Sequence, residues 1–146
     1  MPKEFVMRGR IPTGGTEKLN FSGHKDGYAY RMTEFSLYPQ IPNTSYEISG
    51  TVTAGKTAIS PLDVDFRNEA LIASAFISDH TGEENPVGTF SVVNDTFMIT
   101  QDLIIMAETS VGSSPINWQC RFVKEKMTKS EEAVVNYRQF AISDGS

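Results

Sequence analysis

The chain has 146 residues, of which 39% are hydrophobic and 21% charged, and this composition predicts one soluble globular domain. The longest purely apolar run, Leu103 to Ala107, has five residues, far below the roughly 20 that a membrane-spanning helix needs. The formal net charge of −5 argues against a nucleic-acid platform, because phosphate binding needs clustered cations.

The single cysteine, Cys120, excludes an internal disulfide and any all-cysteine metal site. Alternation around it places Trp118, Cys120 and Phe122 on one side of a strand, so we expect a buried structural thiol and not a nucleophile. The N-terminal residues lack the long apolar segment of a secretory signal, which predicts synthesis and use on the cytoplasmic side of a membrane.

The first third of the chain predicts strands separated by turns rich in Gly and Pro. The strands expected there are residues 4–9, 17–22 and 28–38, and the turns are residues 11–16 and 23–27. We expect the first two strands to form a hairpin. In the third strand, the parity of the apolar positions changes between Met32 and Phe35, which predicts a β-bulge or a break near Thr33.

The rest of the chain predicts further strands joined by polar loops. The strands expected there are residues 46–53, 69–78, 89–93, 94–107, 117–126 and 137–142. The loops expected between them are residues 54–68, 79–88 and 108–115. The stretch 94–107 is the most apolar part of the chain, and we expect it to form the central strand of the core.

Helix content is expected to be small. The segment 69–78 has the Ala and Leu content of a helix, but its position among strands favours a strand. Thr128 and Glu131 have the spacing of a capping box, which predicts a short helix near residues 129–136. The chain 1–146 therefore predicts a single all-β domain, a two-sheet antiparallel β-sandwich with a jelly roll as one connectivity and at most that one short helix.

One stretch matches a phosphate-binding motif. Gly50 to Thr57 fit the pattern G-x-x-x-x-G-K-[ST] at every position. Such a loop holds phosphates at the start of a helix, but Pro61 follows closely, and a helix cannot readily continue through a proline. We therefore interpret the match as a chance spacing across a strand and a loop.

No catalytic set, cofactor site or metal site is predicted from the other residues. His24 and His80 are the only histidines, and they lack the partner spacing and neighbouring cysteine of zinc ligands. Oxygen atoms that could surround a calcium ion occur at Asp63, Asp65, Asn68 and Glu69, without the glycine and spacing of an EF-hand loop. Ser, His and Asp residues occur without the local context of a nucleophile elbow.

Several short segments carry a resemblance to a known group of proteins. These segments are residues 2–9, 19–23, 27–30, 94–97, 100–103, 117–122, 132–133 and 136–137. They resemble small uncharacterised structural proteins of marine tailed bacteriophages of the cyanophage type, over most of the chain. The resemblance implies a virion or virus-encoded structural protein, and it carries over no catalytic residue.

Two classes of function are compatible with these observations. The first is a non-enzymatic structural protein of a tailed-phage virion, for which a capsid-surface cement or decoration protein is preferred and a neck or tail component is the alternative. Its expected partners are copies of itself and other virion proteins such as the major capsid protein, without direct contact to nucleic acid or membrane. Such a protein would be made in the host cytoplasm and located in the virion.

Aromatic residues are the expected contact anchors, because they bring a large contact area at low entropic cost. The expected anchors are Phe5, Tyr28, Tyr30, Tyr38, Tyr46 and Tyr137. A location on the inward face of the sandwich is equally compatible with their spacing. The second class of function is a carbohydrate- or receptor-binding β-sandwich module, in which exposed aromatic rings stack on sugars. An enzyme of unrecognised type is the remaining alternative.

Overall fold

Eight β-strands make up most of the computed structural model, which describes residues 3–21, 27–41, 46–55, 57–79, 88–111, 114–135 and 137. The strands are β1 (Lys3–Ile11), β2 (Gly15–Leu19), β3 (Tyr28–Pro39), β4 (Tyr46–Ala54), β5 (Leu71–Asp79), β6 (Gly88–Val93), β7 (Leu103–Val111) and β8 (Ile116–Lys126). One short helix, α1, follows at residues 129–135. No helix in the described part of the chain has the length and apolar content needed to cross a membrane.

The strands form two antiparallel sheets, with strand orders β1-β8-β3 and β2-β7-β4-β5-β6. β1 pairs with β8, β2 pairs with β7, and β4 pairs with β5. These are three of the four strand pairs of a long hairpin folded over on itself, which is the pattern of a jelly roll. The fourth pair of that pattern, β3 with β6, is replaced by β5 with β6, although the Ser91 hydroxyl of β6 donates to the Phe35 carbonyl of β3 at 2.7 Å. The predicted two-sheet antiparallel β-sandwich is confirmed.

The predicted hairpin between residues 4–9 and 17–22 is wrong, because its two arms belong to different sheets. β1 pairs with β8, whereas β2 pairs with β7. Between them the chain turns at Pro12, whose carbonyl accepts from the Gly15 N–H at 2.8 Å, and Gly14 has a φ of 75°. Gly and Pro mark the turn in either case, so turn residues alone do not distinguish a hairpin from a crossover between sheets.

The prediction of one central strand over residues 94–107 is also wrong. β7 begins only at Leu103 and continues to Val111, which shortens the predicted loop at 108–115, and β4 is the middle strand of its sheet. The Asn94 side-chain oxygen accepts from the backbone N–H and the hydroxyl of Thr96, at 3.3 Å and 2.9 Å. These bonds favour a turn over a strand.

Other local predictions are confirmed. The register of β3 against β8 shifts between Met32 and Glu34, as expected for a bulge near Thr33. The ambiguous segment 69–78 is strand β5 from Leu71 onward. The capping box forms, because Thr128 Oγ1 accepts from the Glu131 N–H at 3.2 Å and Glu131 Oε1 accepts from the Thr128 N–H at 3.4 Å.

Three predicted segments lie mostly outside the described residues. They are the turn at 23–27, the loop at 79–88, and the final strand at 137–142, of which the first residue is described. Tyr137 itself is helical and not extended.

The hydrophobic core lies between the two sheets and is centred on β8. Trp118, Cys120 and Phe122 all point inward and are buried, as the alternation predicted. At one end of the core, four aromatic rings have centroids 4.9–5.6 Å apart in successive pairs, and they belong to Phe5, Phe21, Tyr30 and Phe122. At the other end, the Trp118 indole N–H donates to Glu17 Oε2 at 3.0 Å and links β8 to β2. Both ends therefore join strands that are distant in sequence.

We expect the substitution Gly9→Ala to destabilise the protein. A Cβ atom at Gly9 would lie 2.9 Å from Trp118 Cζ2 and 3.1 Å from Glu17 Oε2, and the buried indole has little room to move. Overpacking of this kind costs about 1–3 kcal/mol in the free energy of unfolding, which urea denaturation measures. The control Lys3→Ala changes an exposed residue of the same strand and should stay within about 0.5 kcal/mol of the parent. Equal stability of Gly9→Ala and the parent would contradict tight packing at this position.

Candidate functional site

The aromatic residues expected to act as contact anchors do not form one surface. Three of them are partly buried and pack against the core, namely Phe5, Tyr30 and Tyr46. Tyr28 is partly buried, and Lys124 Nζ lies 4.7 Å from the centre of its ring. Tyr38 and Tyr137 are 59% and 76% exposed, and they lie on β3 and after α1. Of the six, these two are the side chains that present most of their surface to solvent.

An exposed apolar surface covers the outer face of β5 and β6. Phe76 and Phe90 are directly opposite each other in the strand register, and Val92 shares the face of Phe90 because it lies two residues further along β6. Phe66, from the loop at residues 57–70, borders the same groove, whose volume is about 330 Å³. We call these four residues the β5–β6 patch. Phe66 and Phe90 are 68% and 66% exposed.

The loop at residues 57–70 is held in place by two threonines of β4. Thr51 Oγ1 donates to the Ile59 carbonyl at 2.6 Å, and the Ile59 N–H donates to Thr53 Oγ1 at 3.3 Å. Both threonines point outward from the sheet, yet both are buried because the loop covers them. The loop therefore lies over the outer face of this sheet. This position brings Phe66 next to Phe76 and Phe90.

Asp65 stabilises the same loop through Arg67. Its Oδ1 accepts from the Arg67 backbone N–H at 2.9 Å, and its Oδ2 pairs with Arg67 Nη2 at 2.9 Å. The hydrogen bond from the guanidinium holds the pKa of the Asp65 carboxyl below its usual value. The carboxylate considered as a calcium ligand is thus bound to a cation within the chain. Within the described residues, no group of three or more His, Cys, Asp or Glu side chains could hold a metal ion.

Most of the residues that match the phosphate-binding motif lie in a strand. Gly50 to Ala54 lie in β4, where they pair with β5 and β7. A Cβ atom at Gly50 would lie 3.1 Å from Leu37, so this glycine serves the packing of the two sheets. The motif's Lys56 lies outside the described residues, and residues 57–60 are not helical. A phosphate-binding loop needs free backbone N–H groups before a helix, which β4 does not offer.

A groove with several polar side chains lies on the outer face of the other sheet, where β1, β8 and β3 run side by side. One row across the three strands consists of Arg10, Asn117 and Tyr38, and the next row consists of Arg8, Gln119 and Ser36. These six side chains line a groove of about 640 Å³, which we call the arginine groove. Its volume is within the range of about 300–1,000 Å³ found for small-molecule sites.

The cations of this outer face differ in their partners. Arg121 pairs with Glu34 at 3.3 Å, and Arg31 pairs with Glu125 and holds the pKa of that carboxyl below its usual value through the hydrogen bond. By contrast, the guanidinium groups of the arginine groove bind amide oxygens. Arg8 donates to Gln119 Oε1, and Arg10 donates to Asn117 Oδ1 at 3.1 Å. Among the described residues, no carboxylate pairs with Arg8 or Arg10. The arginine groove therefore carries two positive charges that no described carboxylate neutralises.

Sequence reasoning missed both surfaces. In β1, polar and apolar residues alternate, so the alternation alone places Arg8 and Arg10 on one face. It does not reveal that Asn117 and Tyr38 lie beside them. Phe90 lies in a strand that was predicted, but which of its faces is exposed depends on how β6 joins the sheet.

No family model matches the chain, and no curated protein matches it. The β5–β6 patch and the arginine groove are two surfaces of the described residues that could bind a partner or a ligand.

We expect Cys120 to make the protein less stable at alkaline pH. Burial raises the pKa of the Cys120 thiol, so the folded chain keeps its proton at a pH where the unfolded chain loses it. The unfolded thiol ionises near pH 8.5, and above that pH this residue lowers the free energy of unfolding by about 1.4 kcal/mol per pH unit. Urea denaturation between about pH 8 and pH 10 should therefore show a steeper loss of stability for the parent than for Cys120→Ala. Parallel pH profiles would contradict the burial of the thiol.

We expect Thr51→Val to loosen the loop at residues 57–70. Valine has a similar shape but cannot donate to the Ile59 carbonyl, which would lose the partner that the structure shows. The cost is roughly 1–3 kcal/mol, and hydrogen exchange of the loop amides should accelerate. The control Thr16→Val lies at an exposed position of β2. Unchanged exchange in the loop would show that the threonine does not hold it.

Proposed function

We propose that the chain is a non-enzymatic structural protein of a tailed-phage virion, and specifically a capsid-surface cement protein. It acts by burying apolar surface against copies of itself and against other virion proteins such as the major capsid protein. The proposal involves no direct contact with nucleic acid or membrane, and it places the protein in the virion after synthesis in the host cytoplasm. The observation that carries it is the β5–β6 patch.

The composition of the patch supports a protein contact. Three phenylalanine rings lie together on one outer face, and such rings bury a large area while losing little conformational entropy. Monomeric proteins usually expose apolar side chains singly, and larger groups mark contact surfaces.

The position of the patch supports the same conclusion. β6 is the edge strand of the five-stranded sheet. An edge strand can pair with a strand of another chain, and proteins that do not use such an edge usually protect it with charges or prolines. The outward residues of β6 are instead Phe90 and Val92.

Two further observations agree with a structural role in a particle. The chain resembles marine tailed-phage proteins in the segments given above, and its strand pairing is close to a jelly roll, a fold that occurs in viral capsid and lectin domains. The fold supports the proposed function only by analogy, because one fold can serve many functions. Cys120, the only thiol, is fully buried and so is not available as a nucleophile.

We expect Phe90→Ser to weaken assembly without unfolding the chain. The ring is 66% exposed in the isolated protein, so its loss leaves the core intact. In a contact it would contribute roughly 2 kcal/mol, or about 30-fold in the dissociation constant. Light scattering over a concentration series and binding to purified capsids measure the effect.

The matched control is Val134→Ser, which removes a 60% exposed apolar side chain from α1, away from the patch. It should assemble and bind capsids as the parent does. A parent that is monomeric at every concentration and does not bind capsids would refute the proposal. An equal loss in both variants would show that the patch is not the contact surface.

A further inference from the structure

The arginine groove presents hydrogen-bond donors to solvent. Asn117 and Gln119 each use the side-chain oxygen to accept from an arginine, which leaves the NH₂ group of each side chain available as a donor. The guanidinium groups of Arg8 and Arg10 add further donors and two positive charges. A complementary ligand is therefore rich in acceptor oxygens and negatively charged.

The spacing of the groove side chains gives the dimensions of the ligand. Arg8 and Arg10 lie two residues apart on β1, so their Cα atoms are about 7 Å apart. Tyr38 lies two strands away from Arg10 in the same row, a distance of about 10 Å. One anionic group can contact both arginines while a ring of the same small ligand lies on the tyrosine.

Tyr38 indicates what kind of anion fits. Its ring is 59% exposed at the edge of the groove and offers an apolar face beside polar groups. A pyranose ring has an apolar face and a rim of hydroxyl groups, which matches this combination. Nucleic acid fits less well, because Arg121 and Arg31 are already paired with carboxylates and do not extend a track of free cations for a phosphate backbone.

We propose that the arginine groove binds an acidic saccharide. The anionic group, a uronate carboxylate or a sulfate ester, lies between Arg8 and Arg10, and the sugar ring stacks on Tyr38. Asn117 and Gln119 donate to the ring hydroxyl oxygens. The site is independent of the β5–β6 patch, since the two surfaces belong to different sheets.

The test is calorimetric titration of the full chain with four probes. Oligogalacturonate carries carboxylates, dextran sulfate carries sulfate esters, dextran is neutral, and poly-glutamate is an acidic peptide. At least one acidic saccharide should bind more tightly than dextran and poly-glutamate, and its affinity should fall as salt is added. The preferred probe identifies the anionic group. Binding of dextran or of poly-glutamate at equal or higher affinity would overturn the proposal.

Substitutions in the arginine groove test whether the saccharide binds there. Arg8→Gln, Arg10→Gln and Tyr38→Ser should each weaken saccharide binding by about tenfold or more, as expected for the loss of a charged hydrogen bond or a stacking platform. The control Arg121→Gln removes a cation from the same face that is already paired with Glu34, and it should change affinity by less than about twofold. An equal effect of the control, or unchanged binding by all three groove variants, would overturn the proposal. Phe90→Ser should bind saccharide normally, which separates this test from that of the proposed function.

Discussion

The position of β8 between β1 and β3 is the constraint on which the rest of the structure depends. Because successive side chains of a strand point to opposite faces, β8 contributes Trp118, Cys120 and Phe122 to the core and Asn117 and Gln119 to the outer face. The same pairing brings the first strand of the chain next to the last. The pairing of β8 with β1 and β3 therefore both closes the sandwich and assembles the arginine groove.

Much of the local structure could be predicted from the sequence. Alternation identified most strands, a change of parity identified the bulge near Thr33, and the capping box identified α1. These features depend on neighbours within a few residues. The prediction of a strand directly after Asn94 was wrong for a local reason as well. Hydrogen bonds to the Asn94 side chain form a turn in an otherwise apolar stretch.

Features that depend on distant pairing could not be predicted in this way. Arg8 and Gln119 are separated by 111 positions and still form a hydrogen bond, and nothing in either local segment indicates the register that joins them. The aromatic residues show the same limit. Phe5 and Tyr30 each lie in a strand with alternating residues, and this pattern is the same whether the ring faces a partner or the core. The structure places both rings against the core.

The two candidate surfaces differ in physical origin as well as in position. The β5–β6 patch is apolar, and it lies within residues 41–110, which contain ten Asp and Glu against two Lys and Arg. Exposed phenylalanine rings are typical of the core of a protein interface, and their burial is little affected by salt. The arginine groove acts through exposed charges that salt screens. Raising the ionic strength should therefore weaken the proposed saccharide binding while leaving the proposed subunit contacts in place, so a single variable distinguishes the two proposed activities in the intact protein.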